Sequence, residues 1–139
     1  MIIVEKKIKC EIGKLFNILN DINKYPYFFE GCSFGKKTNI SKNTYDGTLE
    51  INFMNKIIRL KTKNKVLDNK LIYFDLADGP FKRLNGFWSL KVINENFSLV
   101  TFNIEYELKN FFIDRASKLI SKTIIDSLVN DFKSKVEDL

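Results

Sequence analysis

Between residues 45 and 108 the chain alternates. Tyr45, Gly47, Leu49, Ile51 and Phe53 occupy every second position. Ile58, Leu60, Thr62 and Val66 repeat that period, with Arg59, Lys61, Lys63 and Lys65 between them. Ile72, Phe74 and Leu76 follow, then Leu84, Gly86, Trp88, Leu90 and Val92. Last come Val100, Phe102, Ile104, Tyr106 and Leu108, set against Thr101, Asn103, Glu105 and Glu107. Successive side chains of a strand point to opposite faces, so these segments predict an antiparallel sheet with one apolar and one wet face. Asp78-Gly79-Pro80 and Asn94-Glu95-Asn96 are the turns between strands. Residues 2–9, "IIVEKKIK", predict a further strand. Gly86, inside its strand, predicts a bulge or a bend.

Elsewhere the period is helical. Ile12, Leu15, Phe16, Leu19 and Ile22 predict an amphipathic helix over about 11–22. In "YPYFFEGC", residues 25–32, Pro26 fixes the start of a short helical or turn segment and Gly31 ends it. Residues 111–139 contain neither Gly nor Pro. Ile113, Ala116, Ile120, Ile124, Leu128, Phe132 and Val136 recur there every three or four positions. They predict one helix about 40 Å long, with Asn110 as its N-cap. An apolar sheet face must be covered, and this helix is the available cover. The result is an α+β fold, a sheet wrapped around a long C-terminal helix. A gap between the two is where a ligand would sit. Leaving such a gap unfilled costs stability, so side chains or a ligand should occupy it.

Composition then narrows the chemistry. A chain of 139 residues suits one domain spanning 1–139. There is no histidine, which removes the usual base near neutral pH, Ser-His and Cys-His pairs and most zinc sites. No glycine-rich phosphate loop occurs. The expectation is a non-enzyme with no metal and no covalent cofactor. Cys10 and Cys32 have no CxxC spacing and read as free thiols of a cytoplasmic protein. The apolar run Met1–Val4 is too short for a signal peptide, and no run of 18 apolar residues could span a bilayer. Net charge is +6, from 23 basic and 17 acidic residues. Twenty of the basic residues are Lys, and with abundant Ile, Asn and Phe this reflects in part AT-rich codons. The stripe Arg59, Lys61, Lys63, Lys65 is the regular wet face of a strand. On RNA it would meet phosphates, but its strand has no interleaved aromatics for stacking. DNA is not an expected partner.

"YPYFFEGC" and "DGPFKRLNGFW" (residues 78–88) together resemble motifs of the coenzyme-Q-binding START-like family, in its bacterial ribosome association toxin (RatA) branch. That family lies within the wider polyketide cyclase and lipid-transport superfamily. The resemblance runs over nearly the whole chain. It implies a helix-grip fold of about seven strands with an apolar tunnel, and binding of ubiquinone by ring and isoprenoid tail in support of respiratory electron transport. For the bacterial branch it also implies binding to the large ribosomal subunit and blocking of subunit joining. A quinone carrier would work in the cytoplasm and touch the inner-membrane surface only briefly. The chain departs from the family at Glu30, where proline is usual, and at Cys10, where a small capping residue such as Ser is usual.

On this reading Tyr25, Phe28 and Phe29 form either an aromatic gate or a plug at one end of the core. Phe81, Leu84 and Trp88, with Phe102 and Tyr106 from the next strand and Ala116, Ile120 and Ile124 from the helix, fit equally a filled core and the lining of a pocket. Lys82 and Arg83, beside Arg59, Lys61 and Lys63, are the surface cations that would meet lipid head groups, rRNA phosphates or a quinone oxygen. Cyclase-like chemistry would need Asp, Glu, Tyr or Arg in the cavity, and the inward positions are almost all apolar, Tyr45 and Tyr106 excepted.

Overall fold

A computed structural model of the chain describes residues 1–53, 55–109 and 121–139. The elements are β1 (Ile2–Ile8), α1 (Ile12–Leu19), a 3-10 turn (Ile22–Lys24), α2 (Tyr25–Phe28), β2 (Cys32–Asn39), β3 (Thr44–Phe53), β4 (Lys56–Leu67), β5 (Leu71–Asp78), β6 (Phe81–Val92), β7 (Ser98–Leu108) and α3 (Lys122–Glu137). Every strand pairs antiparallel with its neighbours in one seven-stranded curved sheet of order β1-β7-β6-β5-β4-β3-β2. The fold is the α+β helix grip. α3 lies against β1 and α2.

The alternation maps onto this sheet. On β4, Leu60, Thr62, Asn64 and Val66 are buried, while Arg59, Lys61, Lys63 and Lys65 are exposed. On β7, Ser98, Val100, Phe102 and Ile104 are buried. Ser98 is fully buried, and its hydroxyl donates to the Cys10 carbonyl at 2.8 Å.

Several boundaries differ from the sequence expectation. The cap of α1 is Glu11, not Cys10: its carboxylate accepts from the amides of Gly13 (2.7 Å) and Lys14 (3.0 Å). α1 also ends at Leu19, and Ile22 is buried from the 3-10 turn instead. Apolar spacing persists across the break, so periodicity alone does not detect it. β2 does not alternate, because it is an edge strand with much of both faces in solvent. Only the family's strand number implies it.

The C-terminal helix does not run unbroken from residue 111. Ser121 is extended (φ −114, ψ 162), and its hydroxyl accepts from the Ile124 amide at 3.2 Å. A serine side chain competes well for a free helix-end amide, so α3 starts there. Asn110, Ile113, Ala116 and Ile120 lie outside the described residues. In α3, Ile125, Val129, Phe132 and Val136 are buried.

Candidate ligand-binding cavity

Two irregularities shape the inner face of the sheet. Phe81 pairs with Leu108 and Arg83 with Glu107, so Lys82 is the extra residue of a bulge. A bulge shifts the alternation by one. Phe81 and Leu84, three positions apart, are therefore both buried, while Lys82 and Arg83 are both exposed. Gly86 is not the bulge. A Cβ there would lie 1.9 Å from the Asn103 carbonyl oxygen and 2.7 Å from Phe74 Cζ, so glycine permits a close approach of β6 to β7. The second irregularity is the β5–β6 ladder. Its pairing ends at Asp75 with Asn85, although β5 continues to Asp78 and β6 begins at Phe81.

Between the inner face, α2 and α3 lies a cavity of about 210 Å³. Of the residues singled out from sequence, Tyr25, Phe29, Phe81, Leu84, Trp88, Phe102 and Ile124 line it. Phe28 does not. It packs on Phe132, ring centroids 5.8 Å apart, and meets Tyr27 edge-on. Tyr106 lies outside the lining and meets Phe81 edge-on at 6.2 Å. Ala116 and Ile120 fall outside the described residues. Sequence reasoning missed Leu60, Phe74, Ile104, Ile125 and Leu128 as wall residues, because an inward apolar residue of a sheet looks the same whether it faces a neighbour or a space.

The aromatic element is held firmly. The Tyr25 hydroxyl donates to the Leu19 carbonyl at 2.5 Å. Phe29 stacks on Phe132 (5.1 Å, 13°) and lies 6.0 Å from Trp88. Trp88 in turn lies 4.3 Å from Phe102. This cluster closes one side of the cavity, which Tyr25, Phe29, Trp88 and Phe102 line.

Polar groups are few and localised. Thr62 and Asn64, alternate residues of β4, both line the cavity and both are buried. The Thr62 hydroxyl donates to Asn64 Oδ1 at 2.7 Å. Tyr45, opposite Asn64 in the ladder, has a buried hydroxyl without a hydrogen-bond partner among the described residues. Burial pushes this phenol up, and the nearby Asn64 amide offsets that in part. Lys37 Nζ sits 4.3 Å above the Tyr45 ring and donates to the Asn20 carbonyl. Glu30 and Cys32 belong to the lining as well. Glu30 is exposed, a carboxylate at the edge of the lining. Burial raises the Cys32 thiol and holds Tyr25 well above the usual tyrosine range, the latter helped by Tyr45, Cys32 and Asp21. Neither is an anion near neutral pH. The arrangement suits holding an apolar molecule with a small polar end.

The surface cations are arranged less simply than one strand implies. Lys82 pairs with Glu107 at 3.2 Å, both exposed. Arg59 approaches Glu50 at 4.0 Å, and Lys63 lies between Asp46 and Asp75 in the ladders. The aromatics missing from β4 come from the next strands. Tyr73 pairs with Lys65, Phe87 pairs with Tyr73, and the two rings are 5.9 Å apart on the same outer face. Among the described residues no helix is long and apolar enough to cross a membrane.

Known proteins share this architecture. The family model described as polyketide cyclase / dehydrase and lipid transport matches residues 8–133. A ribosome association toxin RatA of Escherichia coli is 22% identical over 126 residues, covering 91% of this chain and 80% of that one. The crystal structure of a Thermus thermophilus protein superposes with a TM-score of 0.82 at 16% identity, covering 97% of this chain and 95% of that one. A START superfamily protein from Mycobacterium smegmatis superposes with a TM-score of 0.72 at 13% identity, covering 98% and 94%.

Proposed function

We propose, for a chain that belongs to the polyketide cyclase / dehydrase and lipid transport family, that it is a non-covalent carrier of a ring-bearing lipid, a polyprenyl quinone of the ubiquinone type. The observation that carries this reading is the cavity of about 210 Å³ with its apolar walls and localised polar cluster. Left unfilled, such a space would cost on the order of 5 kcal/mol. That is comparable to the whole stability of a domain, so an apolar occupant is strongly favoured. An engineered cavity of about 150 Å³ holds one benzene. The space therefore suits a substituted ring and the first part of a tail, and the rest of a polyprenyl chain would lie outside it. The net charge of +6 supports brief docking on anionic lipid. The test is mass spectrometry of an organic extract of protein purified without detergent from a quinone-making host. A stoichiometric polyprenyl quinone supports the carrier. Protein that extracts clean, and stays clean after incubation with quinone-loaded vesicles, rejects it.

A second reading is ribosome association, with the large subunit as the expected partner. It is favoured by the RatA relative and by the outer face, where Lys63, Lys65, Tyr73 and Phe87 combine charge with aromatic rings. Such a surface supports phosphate contact and base stacking together. It predicts co-sedimentation with large ribosomal subunits that weakens as salt rises.

A further inference from the structure

The wet face of the sheet carries a groove of about 500 Å³, crossed by outward residues of β4, β5, β6 and β7. That volume falls in the range of small-molecule sites. Strand pairing sets the groove residues in two rows. One row reads Lys65, Tyr73, Phe87, Asn103, and the next reads Lys63, Asp75, Asn85, Glu105. The rows are two residues apart, about 7 Å along the strands. Tyr73 is 42% exposed, and its ring is tilted 58° from that of Phe87. A ring held in this way is open to a flat partner.

The polar groups beside the rings are unused. Among the described residues, the side chains of Lys63, Lys65, Asp75, Asn85 and Glu105 make no hydrogen bond and no ion pair. They are also sorted by sign, with lysines on β4 and carboxylates on β5 and β7. Lys63 lies between Asp46 and Asp75 in the ladders, whereas Lys65 lies between Thr44 and Tyr73. Lys65 is therefore the cation with no carboxylate opposite it. A simple anion in this groove would face Asp75 and Glu105, and a simple cation would face the lysines. A flat ligand that is anionic at one end and donates N–H at the other meets every group. A nucleotide has that form. Guanine alone among the RNA bases presents two adjacent N–H donors beside an acceptor oxygen on its Watson–Crick edge.

We infer that this groove holds an unpaired guanine of single-stranded RNA. The base stacks on Tyr73, and its Watson–Crick edge reaches the next row. There the Asp75 carboxylate accepts from N1–H and the exocyclic amine, a charge-assisted bidentate contact. The Asn85 amide, paired with Asp75 across the ladder, donates to the guanine carbonyl oxygen. Lys65 meets the phosphate. Glu105, on the far flank beside Asn85, repels phosphate and keeps the backbone on the β4 side. The inference rests on the ribosome reading and adds a base preference to it. It does not involve the cavity.

Fluorescence anisotropy of the full chain at low salt tests this, with labelled oligouridine strands that carry guanine, inosine, adenine or cytosine at the centre. The guanine strand should bind about tenfold tighter than the adenine and cytosine strands, the worth of one bidentate base contact. Inosine, which lacks the exocyclic amine, should lose most of that preference. Asp75→Asn should abolish the preference without weakening the adenine and cytosine strands, because it removes only a negative charge. Tyr73→Ala should weaken all four. Equal binding of the four strands, or a preference unchanged in Asp75→Asn, overturns the guanine site and leaves the ribosome reading in place. Displacement of the guanine strand by arginine amide as effectively as by guanosine monophosphate also overturns it, since the groove is then a cation site. Binding of no strand overturns it as well, and co-sedimentation with large subunits then decides the ribosome reading separately.

Discussion

Phe29 and Phe132 stack with ring centroids 5.1 Å apart and planes 13° from parallel. One ring comes from the segment just after α2 and the other from the middle of α3, and Phe132 is fully buried. The contact ties the aromatic segment around α2 to the C-terminal helix. Phe132→Ala should cost about 3–5 kcal/mol, the usual range for a buried phenylalanine. Phe29→Ala should cost less, because its void joins a space that already exists, and it should raise the affinity for bulkier ring probes. Thermal unfolding and probe titration of both variants check this. Equal costs, with unchanged affinities, would show that Phe29 does not border the ligand space.

Alkaline stability depends on Tyr25. Burial first, then Tyr45, Cys32 and Asp21, hold its hydroxyl well above the usual value of 10.0. The folded state thus binds the proton more tightly than the unfolded state. The stability this gives is fully present below about pH 10 and is lost as pH rises above it. Tyr45, also raised by burial, adds to the same slope. Tyr25→Phe should lower stability near neutral pH by about 1–2 kcal/mol, since the Leu19 carbonyl loses its donor. The variant should then decline less steeply between about pH 10 and 11.5. Denaturation midpoints across that range, for both proteins, decide it.

The two thiols should report separately on the cavity. Both are raised by burial and stay protonated near neutral pH, so both should alkylate slowly. Cys32 lines the cavity and is partly accessible, whereas Cys10 is buried under the Ser98 contact. A bulky disulfide reagent should modify Cys32 first. Acetophenone, a small ring probe for the cavity, should slow that reaction and leave Cys10 unchanged. Protection of both, or of neither, would place the probe elsewhere.

Gly86 should not tolerate a methyl group. The nearest atom to a Cβ there is backbone, the Asn103 carbonyl oxygen at 1.9 Å, which cannot swing aside. Gly86→Ala should cost about 3 kcal/mol or more, an overpacking penalty at the high end. Gly13→Ala is the control. Its new methyl meets only the end of the Glu11 side chain at 3.1 Å, and the change should stay within about 1 kcal/mol. Urea denaturation of both variants measures the contrast.

The ribosome reading has its own discriminating variants. Lys63→Glu with Lys65→Glu reverses two charges of the outer face without touching the cavity. Co-sedimentation with large subunits at low salt should fall by at least about tenfold, and probe binding should persist. Tyr73→Ala should weaken it further if the rings stack on bases. Unchanged co-sedimentation would remove this face from the interaction.

The strands were legible where one face is dry and one wet. Arg59 to Lys65 against Leu60 to Val66 is a pattern no helix produces. Legibility failed for β2, whose edge position asks little of either face. It failed again at Ser121, where an extended residue caps α3 without disturbing the apolar spacing. The wall residues were partly legible, but the space itself was not, since Leu60 and Phe74 would read the same in a filled core. Asn64 was the available signal. Between Leu60 and Val66 the inward series of β4 turns polar, and that interruption marks the polar end of the cavity. Tyr73 and Phe87 were illegible for a different reason: they become neighbours only when β5 and β6 pair.

The order of the sheet also governs how the chain can come together. β1 and β2, close in sequence, are the two outermost strands, and β1 finds its partner only in β7, Ile2 opposite Ile104. During synthesis the strand made first therefore waits for the strand made last. The meander from β2 to β7 can zip up by local hairpins, but joining β1 requires closing a loop that contains nearly the whole sheet. High contact order of this kind slows folding, and it leaves an apolar strand edge unpaired on the ribosome until late.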